Sequence, residues 1–305
     1  MITLSSPGIT VALHPMGARI ASCVVDGMET AFGSGPESWI MSGDIYAGAI
    51  CGRHAGRISN ATVAVDGRTV HLTANSGPHQ LHGGDTGFHA RRWDWLRDGN
   101  RVTFYLNSAD GEEGYPGNLD VKAVYALSGN RLALTLEART TRATVCNLTN
   151  HAYWNLAGGG SVLDHELQVM GENYFPLGDL LLPLGRIEPT AGTPFDFRKA
   201  RAIREDHDFC TKLSGVRGHM KHGLTLRDPS SGRRMEVWTT EGCMQTYTAI
   251  HWQPQMLGHT GPLQPAHALA IEPQYVADAP NNPAFPSSIL RPGEVYRNHM
   301  EWRFG

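Results

Sequence analysis

Apolar and polar residues alternate along most of the chain with a period of two. In RVTFYLNS (101–108), Val102, Phe104 and Leu106 alternate with polar neighbours, and RLALTLEART (131–140) repeats the pattern. Residues that alternate in this way lie on opposite faces of a β-strand, with one face buried. The pattern therefore predicts many short strands, each half-buried.

Turn-forming residues separate these runs. Asp66-Gly67 lies between ATVAV and RTVHL, and glycine also separates later runs at 128–130 and 230–232. An Asp-Gly pair is typical of a tight hairpin, because both residues tolerate positive φ. Helical periodicity is scarce, and one short helical turn is predicted near 199–203. The sequence therefore predicts an all-β fold, an antiparallel sandwich or barrel with few short helices.

The domain organisation stays open at this level. The chain has 305 residues, and a single large β-sandwich or barrel can reach ~200–250 residues. No internal repeat of fixed period is present, which argues against a propeller. The proline-rich stretch 273–288 carries aromatic and apolar residues, so we expect an ordered loop there rather than a flexible linker.

Composition excludes several classes of protein. Apolar residues make up 41% of the chain, charged residues 18%, and the formal net charge is −3. These values are typical of a soluble core, and without a basic patch no nucleic-acid partner is expected. The five cysteines are odd in number and lack CxxC spacing, so neither a disulfide framework nor a zinc ribbon is indicated. No membrane span or secretory signal is recognisable, and we expect a cytoplasmic protein.

Two polar residues stand in contexts that strand chemistry alone does not require. His151 lies in TNHAYWNLAG (149–158), flanked by Asn150 and Tyr153, and Glu272 ends the apolar run LAIE. A buried carboxylate needs a partner, which could be an arginine in a structural ion pair. A structural histidine bonded to a neighbouring amide is equally reasonable for His151 alone. Together, however, histidine and glutamate could form an acid–base pair whose ordinary pKa values bracket weakly acidic pH.

The fifteen histidines of the chain raise the question of a metal. His79, His82 and His89 lie close in sequence and could converge. However, paired Cys/His spacing and the HExxH motif, which are typical of zinc sites, are both missing. We therefore predict no metal site and expect His79 and His89 to bond to the backbone.

Eight motifs, in order along nearly the whole chain, resemble those of the aldose 1-epimerases, also called galactose mutarotases. They read GRHAGRI, LHGGDTGF, GEEGYPG, NLTNHAYWNL, GTPFDFR, MQTYT, IEPQYVADAPNNP and FPSSILRPGEVYR. The resemblance implies one domain over 1–305, a large antiparallel β-sandwich of the galactose mutarotase-like supersandwich type. It also implies a monosaccharide substrate, no cofactor, and a monomer or homodimer.

The resemblance gives the two polar residues a role. His151 corresponds to the family's general acid and Glu272 to its general base, and these would open and reclose the sugar ring. Asn150 and Tyr153 would then orient the acid. The reaction is the interconversion of the α and β anomers of a hexopyranose, which makes the protein an isomerase.

The resemblance also implies substrate contacts. Arg57 corresponds to the second arginine of the family's GRxxNR motif, His82 to a second sugar-site histidine, and Gln245 to a glutamine at the edge of the site. Each would bond to sugar hydroxyls, the arginine with its rigid fork of donors. Trp154 or Phe285 could pack on the apolar face of a pyranose, although either could equally belong to the core.

Two positions depart from the family pattern. Gly56 stands where the motif usually has asparagine. The family also has a sugar-binding aspartate in a GFDH-like segment, whereas the corresponding stretch here, taken as 217–226, has none and offers Met220 or Lys221. If Lys221 fills that position, a cation replaces a carboxylate. The natural substrate could then be an acidic sugar, for example a sulfonated, phosphorylated or uronic one.

Two other functions remain to be separated from the epimerase. A sugar-binding module without activity could use the same scaffold, but it would not need both His151 and Glu272. A glycoside hydrolase needs two carboxylates that flank the scissile bond. Glu272 and Asp278 are the candidates for that pair, although the resemblance gives Asp278 no such role.

Overall fold

A computed structural model of the chain describes residues 1–33, 45–178, 180–205 and 207–305. Over these ranges the strands pair antiparallel throughout the sheets, which confirms the all-β prediction. Helix is confined there to single 3₁₀ turns: Ser59–Ala61, Phe88–Ala90, Glu112–Gly114, Val162–Asp164 and Ala279–Asn281. None of these is long and apolar enough to cross a membrane.

The largest sheet, here called sheet A, has nine strands. In spatial order they are Asp94–Asp98, Arg101–Ser108, Leu119–Ser128, Arg131–Thr140, Tyr296–Phe304, Arg234–Thr239, Lys221–Arg227, Glu166–Val169 and Arg201–Ala202. The last strand corrects one prediction, because a helical turn was expected near 199–203. Ala202 pairs with Glu166 at the sheet edge, and this pairing supplies backbone partners that a short isolated turn would lack.

A second sheet, sheet B, has seven strands. In spatial order they are Glu188–Pro189, Asn173–Phe175, Asp208–Lys212, Cys243–Tyr247, Leu269–Gln274, Tyr153–Trp154 and Ala31–Phe32. A four-stranded sheet C contains Ile2–Ser6, Ile9–His14, Arg19–Val25 and Met28–Glu29. Sheets A and B carry strands from distant parts of the chain.

Five two-stranded ribbons complete the strands of the described ranges. They pair Arg57–Ile58 with Gln80–Leu81, Thr62–Val65 with Arg68–His71, Ile50–Cys51 with Thr149–Asn150, Thr144–Val145 with Ile289–Leu290, and Leu257–Gly258 with Gly261–Pro262. The hairpin predicted at Asp66-Gly67 is thereby confirmed. The glycine-containing turns at 128–130 and 230–232 also join paired strands, both in sheet A.

One large apolar core lies between the sheets. Leu134 and Trp302 of sheet A are fully buried together with Trp154, Phe209 and Ile271 of sheet B. Burial of this kind contributes roughly 25 cal/mol per Å² of apolar surface and is the main force that holds two sheets face to face. That the whole of 1–305 forms a single domain stays a prediction.

The opposite face of sheet B positions the site. In strand Leu269–Gln274, Leu269 and Ile271 point into the core. Successive strand residues point to opposite faces, so Glu272 and Gln274 lie on the outer face. All six residues of this strand are nevertheless buried, which means that the outer face is covered as well.

Candidate active site

A cavity of about 310 Å³ lies on the outer face of sheet B. Five of the six residues expected to act on the substrate line it, namely Arg57, His82, His151, Gln245 and Glu272. They come from five separate parts of the chain. Sheet B supplies Gln245 and Glu272, which pair directly across neighbouring strands.

The backbone holds His151 firmly. Its N–H donates to the carbonyl of Ala49 at 2.9 Å and its carbonyl accepts from Gly48 at the same distance. The Asn150 side chain donates to the Gly48 carbonyl at 2.6 Å and accepts from the N–H of Ala152 at 3.0 Å. The amide before the histidine thus fixes the chain on both sides of it. This answers why an asparagine precedes His151.

His151 and Glu272 are in contact. His151 Nε2 lies 3.4 Å from Glu272 Oε1, and both side chains are buried. Burial raises the pKa of Glu272 well above its ordinary value, the charge of Asp208 adds to this, and Arg57 opposes it. A carboxylate with a raised pKa binds a proton more strongly, which is the property that a general base requires.

The ring of His82 faces the same pair and has a defined tautomer. Its Nδ1 accepts the backbone N–H of Gly56 at 3.2 Å, so that nitrogen carries no proton. Burial lowers the pKa of His82 well below its ordinary value, with the charges of His151 and Arg57 adding to the effect. The ring is therefore neutral, and Nε2 carries the proton. His82 can donate one hydrogen bond into the cavity.

Gly83 of the LHGG motif makes this placement possible. A Cβ at Gly83 would lie 1.9 Å from the carbonyl oxygen of Gly52, and its φ is +92°. Only glycine tolerates both conditions.

Three of the cavity residues could in principle hold a metal. One ligand atom each from His82, His151 and Glu272 lie within 4.8 Å of one another. However, both nitrogens of neutral His82 are engaged, one as an acceptor and one as a proton carrier, and neither has a free lone pair. His79, His82 and His89, which lie close in sequence, do not converge either. His79 Nδ1 instead accepts from the backbone of Asn60 at 3.0 Å. His82 thus has the chemistry of a hydrogen-bond donor, and the cluster does not fit a metal.

Lys221 does not lie where it was expected. Its Nζ donates to the carbonyls of Glu241 at 2.8 Å and His219 at 3.1 Å, and it is not among the residues that line the cavity. Besides Glu272, the carboxylate of Asp208 lines the cavity. The prediction placed the family's segment at 217–226, whereas an Asp-His pair occurs earlier, at 206–207; Asp206 lies outside the described residues.

The other departure, Gly56, has a local explanation. Gly56 has φ +79°, and a Cβ at this position would come 2.7 Å from the Cβ of Ala277. Ala277 therefore occupies the space that a larger residue at position 56 would need. The backbone N–H of Gly56 instead bonds to His82.

The aromatic candidates belong to the interior. Trp154 packs on Trp302 with ring centroids 5.8 Å apart, and Phe285 packs on Phe175 at 5.2 Å. The alternative that both are core residues is the one the structure supports.

Four aromatic residues line the cavity, and of these sequence reasoning named only Tyr153. They are Tyr46, Tyr153, Tyr247 and Trp252. Tyr46 packs against His82 at 4.6 Å and His151 at 5.9 Å between centroids. Its sequence context, IYAGA, gave no signal of this. Gln274, also missed, could have been inferred because it lies two residues beyond Glu272 on the same strand face.

Asp278 lies outside the lining of the cavity. Its Oδ1 accepts from the backbone and hydroxyl of Ser59 at 3.0 and 3.1 Å and from Asn281 at 2.8 Å. Asp278 holds two loops together, so the pair of carboxylates considered for a glycoside hydrolase is not formed.

The chain matches known proteins over almost its full length. A family model described as aldose 1-epimerase matches residues 1–303. Galactose mutarotases of Mus musculus and Homo sapiens are each 40% identical, over 84% of this chain and 78% of the relative. The aldose 1-epimerase of Escherichia coli (strain K12) is 33% identical over 100% of this chain and 94% of its own.

Solved structures agree. A GalM/aldose epimerase homologue from C. elegans superimposes with a TM-score of 0.93 at 28% identity, covering 100% of this chain and 98% of its own. A galactose 1-epimerase from Lactobacillus acidophilus gives 0.86 at 27% identity, with 99% and 93% covered. The fold and the cavity thus define a sugar-acting isomerase of the mutarotase type, and the chain belongs to the aldose 1-epimerase family.

Proposed function

We propose that this protein interconverts the anomers of a neutral hexopyranose, with Glu272 as the base and His151 as the acid. The observation that carries the proposal is the 3.4 Å contact between the two side chains at the floor of a cavity that also presents Arg57, His82 and Gln245. The relatives are named for galactose, so galactose is the first sugar to test.

The reaction follows from this arrangement. Glu272 takes the proton of the C1 hydroxyl, the C1–O5 bond breaks as C1=O1 forms, and O5 takes a proton from His151. C1 then rotates about the C1–C2 bond and presents its other face. The two proton transfers reverse, and the ring closes as the other anomer. Each positioned proton transfer typically contributes ~10²–10⁴-fold to the rate, and no oxidant or group carrier takes part.

The charges of the cavity favour a neutral sugar. The cation Arg57 faces two carboxylates, Asp208 and Glu272, and Lys221 lies elsewhere. An anionic substituent would meet no surplus of positive charge there, so the acidic-sugar alternative loses its support. Aromatic residues such as Tyr46 and Trp252 suit the apolar face of a pyranose.

The form of the substrate, the cellular compartment and the oligomeric state are proposals too. The substrate is a free monosaccharide, and the protein works in the cytoplasm as a monomer or homodimer. Cys23, Cys146, Cys210 and Cys243 are buried thiols, which suits a reducing compartment.

Polarimetry on freshly dissolved α-galactose and α-glucose tests the function. The wild type should accelerate the change in optical rotation well above the uncatalysed rate. Glu272→Gln and His151→Asn should each lower kcat by ~10²–10⁴-fold. Glu137→Gln, a carboxylate paired with Arg297 on sheet A, is the matched control and should retain full activity.

Three outcomes would contradict the proposal. No acceleration with any hexose would favour a binding module. Full activity in Glu272→Gln would remove the base. Release of reducing sugar from a glycoside would indicate a hydrolase.

A further inference from the structure

We propose that Asp208 is a positioning residue that holds the amide of Gln245 towards itself and so leaves Oε2 of Glu272 without a hydrogen-bond donor and free to act as the base. This inference rests on the proposed function and concerns how the base is kept reactive. Asp208 lines the same cavity.

Three neighbouring strands of sheet B set the geometry. Cys210 pairs with Gln245, and Gln245 pairs with Glu272. Asp208 lies two residues before Cys210, hence on the same outer face. Directly opposed residues have Cβ atoms ~4.5–5.5 Å apart and diagonal ones remain within reach of long side chains. Gln245 therefore stands between Asp208 on one side and Glu272 on the other.

The hydrogen bonds show which way the amide of Gln245 is oriented. Gln245 Nε2 donates to Asp208 Oδ1. In contrast, Glu272 Oε2 is buried and has no hydrogen-bond partner among the described residues. A reversed amide would set the carbonyl oxygen of Gln245 against the carboxylate of Asp208. Two acceptors that face each other are unfavourable, so Asp208 selects the observed orientation.

The orientation matters for basicity. A donor on the ionised carboxylate would stabilise it and lower its affinity for a proton. The charge of Asp208 acts in the same direction as the missing donor, because it adds to burial in raising the pKa of Glu272. Among the described residues that line the cavity, the other ionisable groups are Tyr46, Arg57, His82, His151, Tyr153, Cys210, Tyr247 and His251.

The pH dependence of kcat/KM tests the inference. The rate of galactose mutarotation is measured from pH 4 to 9 with the uncatalysed rate subtracted at each pH. Asp208→Asn should move the acidic limb down by about one pH unit and lower the plateau roughly tenfold, because a weaker base removes the proton. Asp208→Glu should restore the limb of the wild type. If Asp208→Asn does not fold, Asp208→Ser carries the same test.

A double variant separates the amide from the charge. Gln245→Leu cannot donate to Glu272, so Asp208→Asn in that background should move the acidic limb less than in the wild type. An unmoved limb with a raised KM in Asp208→Asn would make Asp208 a sugar contact and overturn the inference. If only the positioning role of Asp208 is wrong, the wild type is still active and Glu272→Gln is still inactive. If the proposed function is wrong, the activities of these two proteins already differ from expectation before Asp208 is changed.

Discussion

The motif GRHAGRI contains two arginines four residues apart, and they perform different tasks. Arg53 is 1% exposed. Its guanidinium donates to the Ser108 hydroxyl at 3.0 Å and to the carbonyls of Ser108, Ala109 and Pro116 at 2.9, 2.8 and 3.1 Å. Arg57 instead lines the cavity. We therefore expect Arg53→Met to reduce stability and Arg57→Met to reduce activity.

The magnitude for Arg53 follows from its partners. A hydrogen bond to a charged group contributes ~1.5–3 kcal/mol, but bonds from one guanidinium are not additive. Removing one side of a buried charged network typically costs ~3–5 kcal/mol, because the partners stay buried and unpaired. Unfolding entropy is ~2.1 cal/mol/K per residue, or about 640 cal/mol/K for 305 residues. A loss of about 4 kcal/mol then lowers Tm by about 6 °C.

Thermal unfolding followed by circular dichroism measures the first effect, and polarimetry at 20 °C measures the second. Arg53→Met should keep kcat/KM within about twofold, since it remains folded at that temperature. Arg57→Met, the matched control, should lose ~10–100-fold in kcat/KM, equivalent to one charge-assisted hydrogen bond to a sugar hydroxyl, with a much smaller change in Tm. A Tm of Arg53→Met within about 1 °C of the wild type would refute this reasoning.

Three further results are expected. Because the pKa of Glu272 is raised in the folded state, its contribution to stability is present below its unfolded pKa and is lost as pH rises through the folded value. Glu272→Gln should therefore raise the free energy of unfolding at pH 7.5 by ~0.5–2 kcal/mol and by less at pH 4.5. A lower Tm at both pH values would contradict this. Lys221→Gln should keep kcat/KM within about twofold, since its ammonium bonds to carbonyls outside the cavity; a tenfold loss by polarimetry would restore it to the site. Zinc ions at about 100 µM should leave the rate unchanged, because neither nitrogen of His82 has a free lone pair; inhibition reversed by EDTA would show that the ring reorients.

The fold class could be predicted because it depends on local periodicity. Alternation in 101–108 and 131–140 gives strands where they were expected. The order of strands in sheets A and B could not be predicted, since Tyr296–Phe304 lies between Arg131–Thr140 and Arg234–Thr239. That order depends on which distant apolar faces pack together. No local sequence pattern predicts this order of strands.

The residues named from motifs with several polar positions lie together at the cavity, whereas Lys221, which was placed by position alone, does not line it. His151 and Glu272 meet as expected. Lys221 was proposed because the family's GFDH-like segment was placed at 217–226. Residues 221–226 of that stretch belong to a strand of sheet A. Asp208 lies in the strand Asp208–Lys212 of sheet B, whose pairing with the Gln245 strand became visible only in three dimensions.

The strand Leu269–Gln274 carries polar residues in an environment that is unusual for them. It is buried on both faces, and a strand in that environment is ordinarily a continuous apolar run. Here Glu272 Oε2 and Gln274 Oε1 are buried without hydrogen-bond partners among the described residues. Both residues line the cavity on the outer face of sheet B. A sugar hydroxyl is the group that would satisfy them. Their placement therefore favours a ligand that brings hydroxyl donors into this cavity.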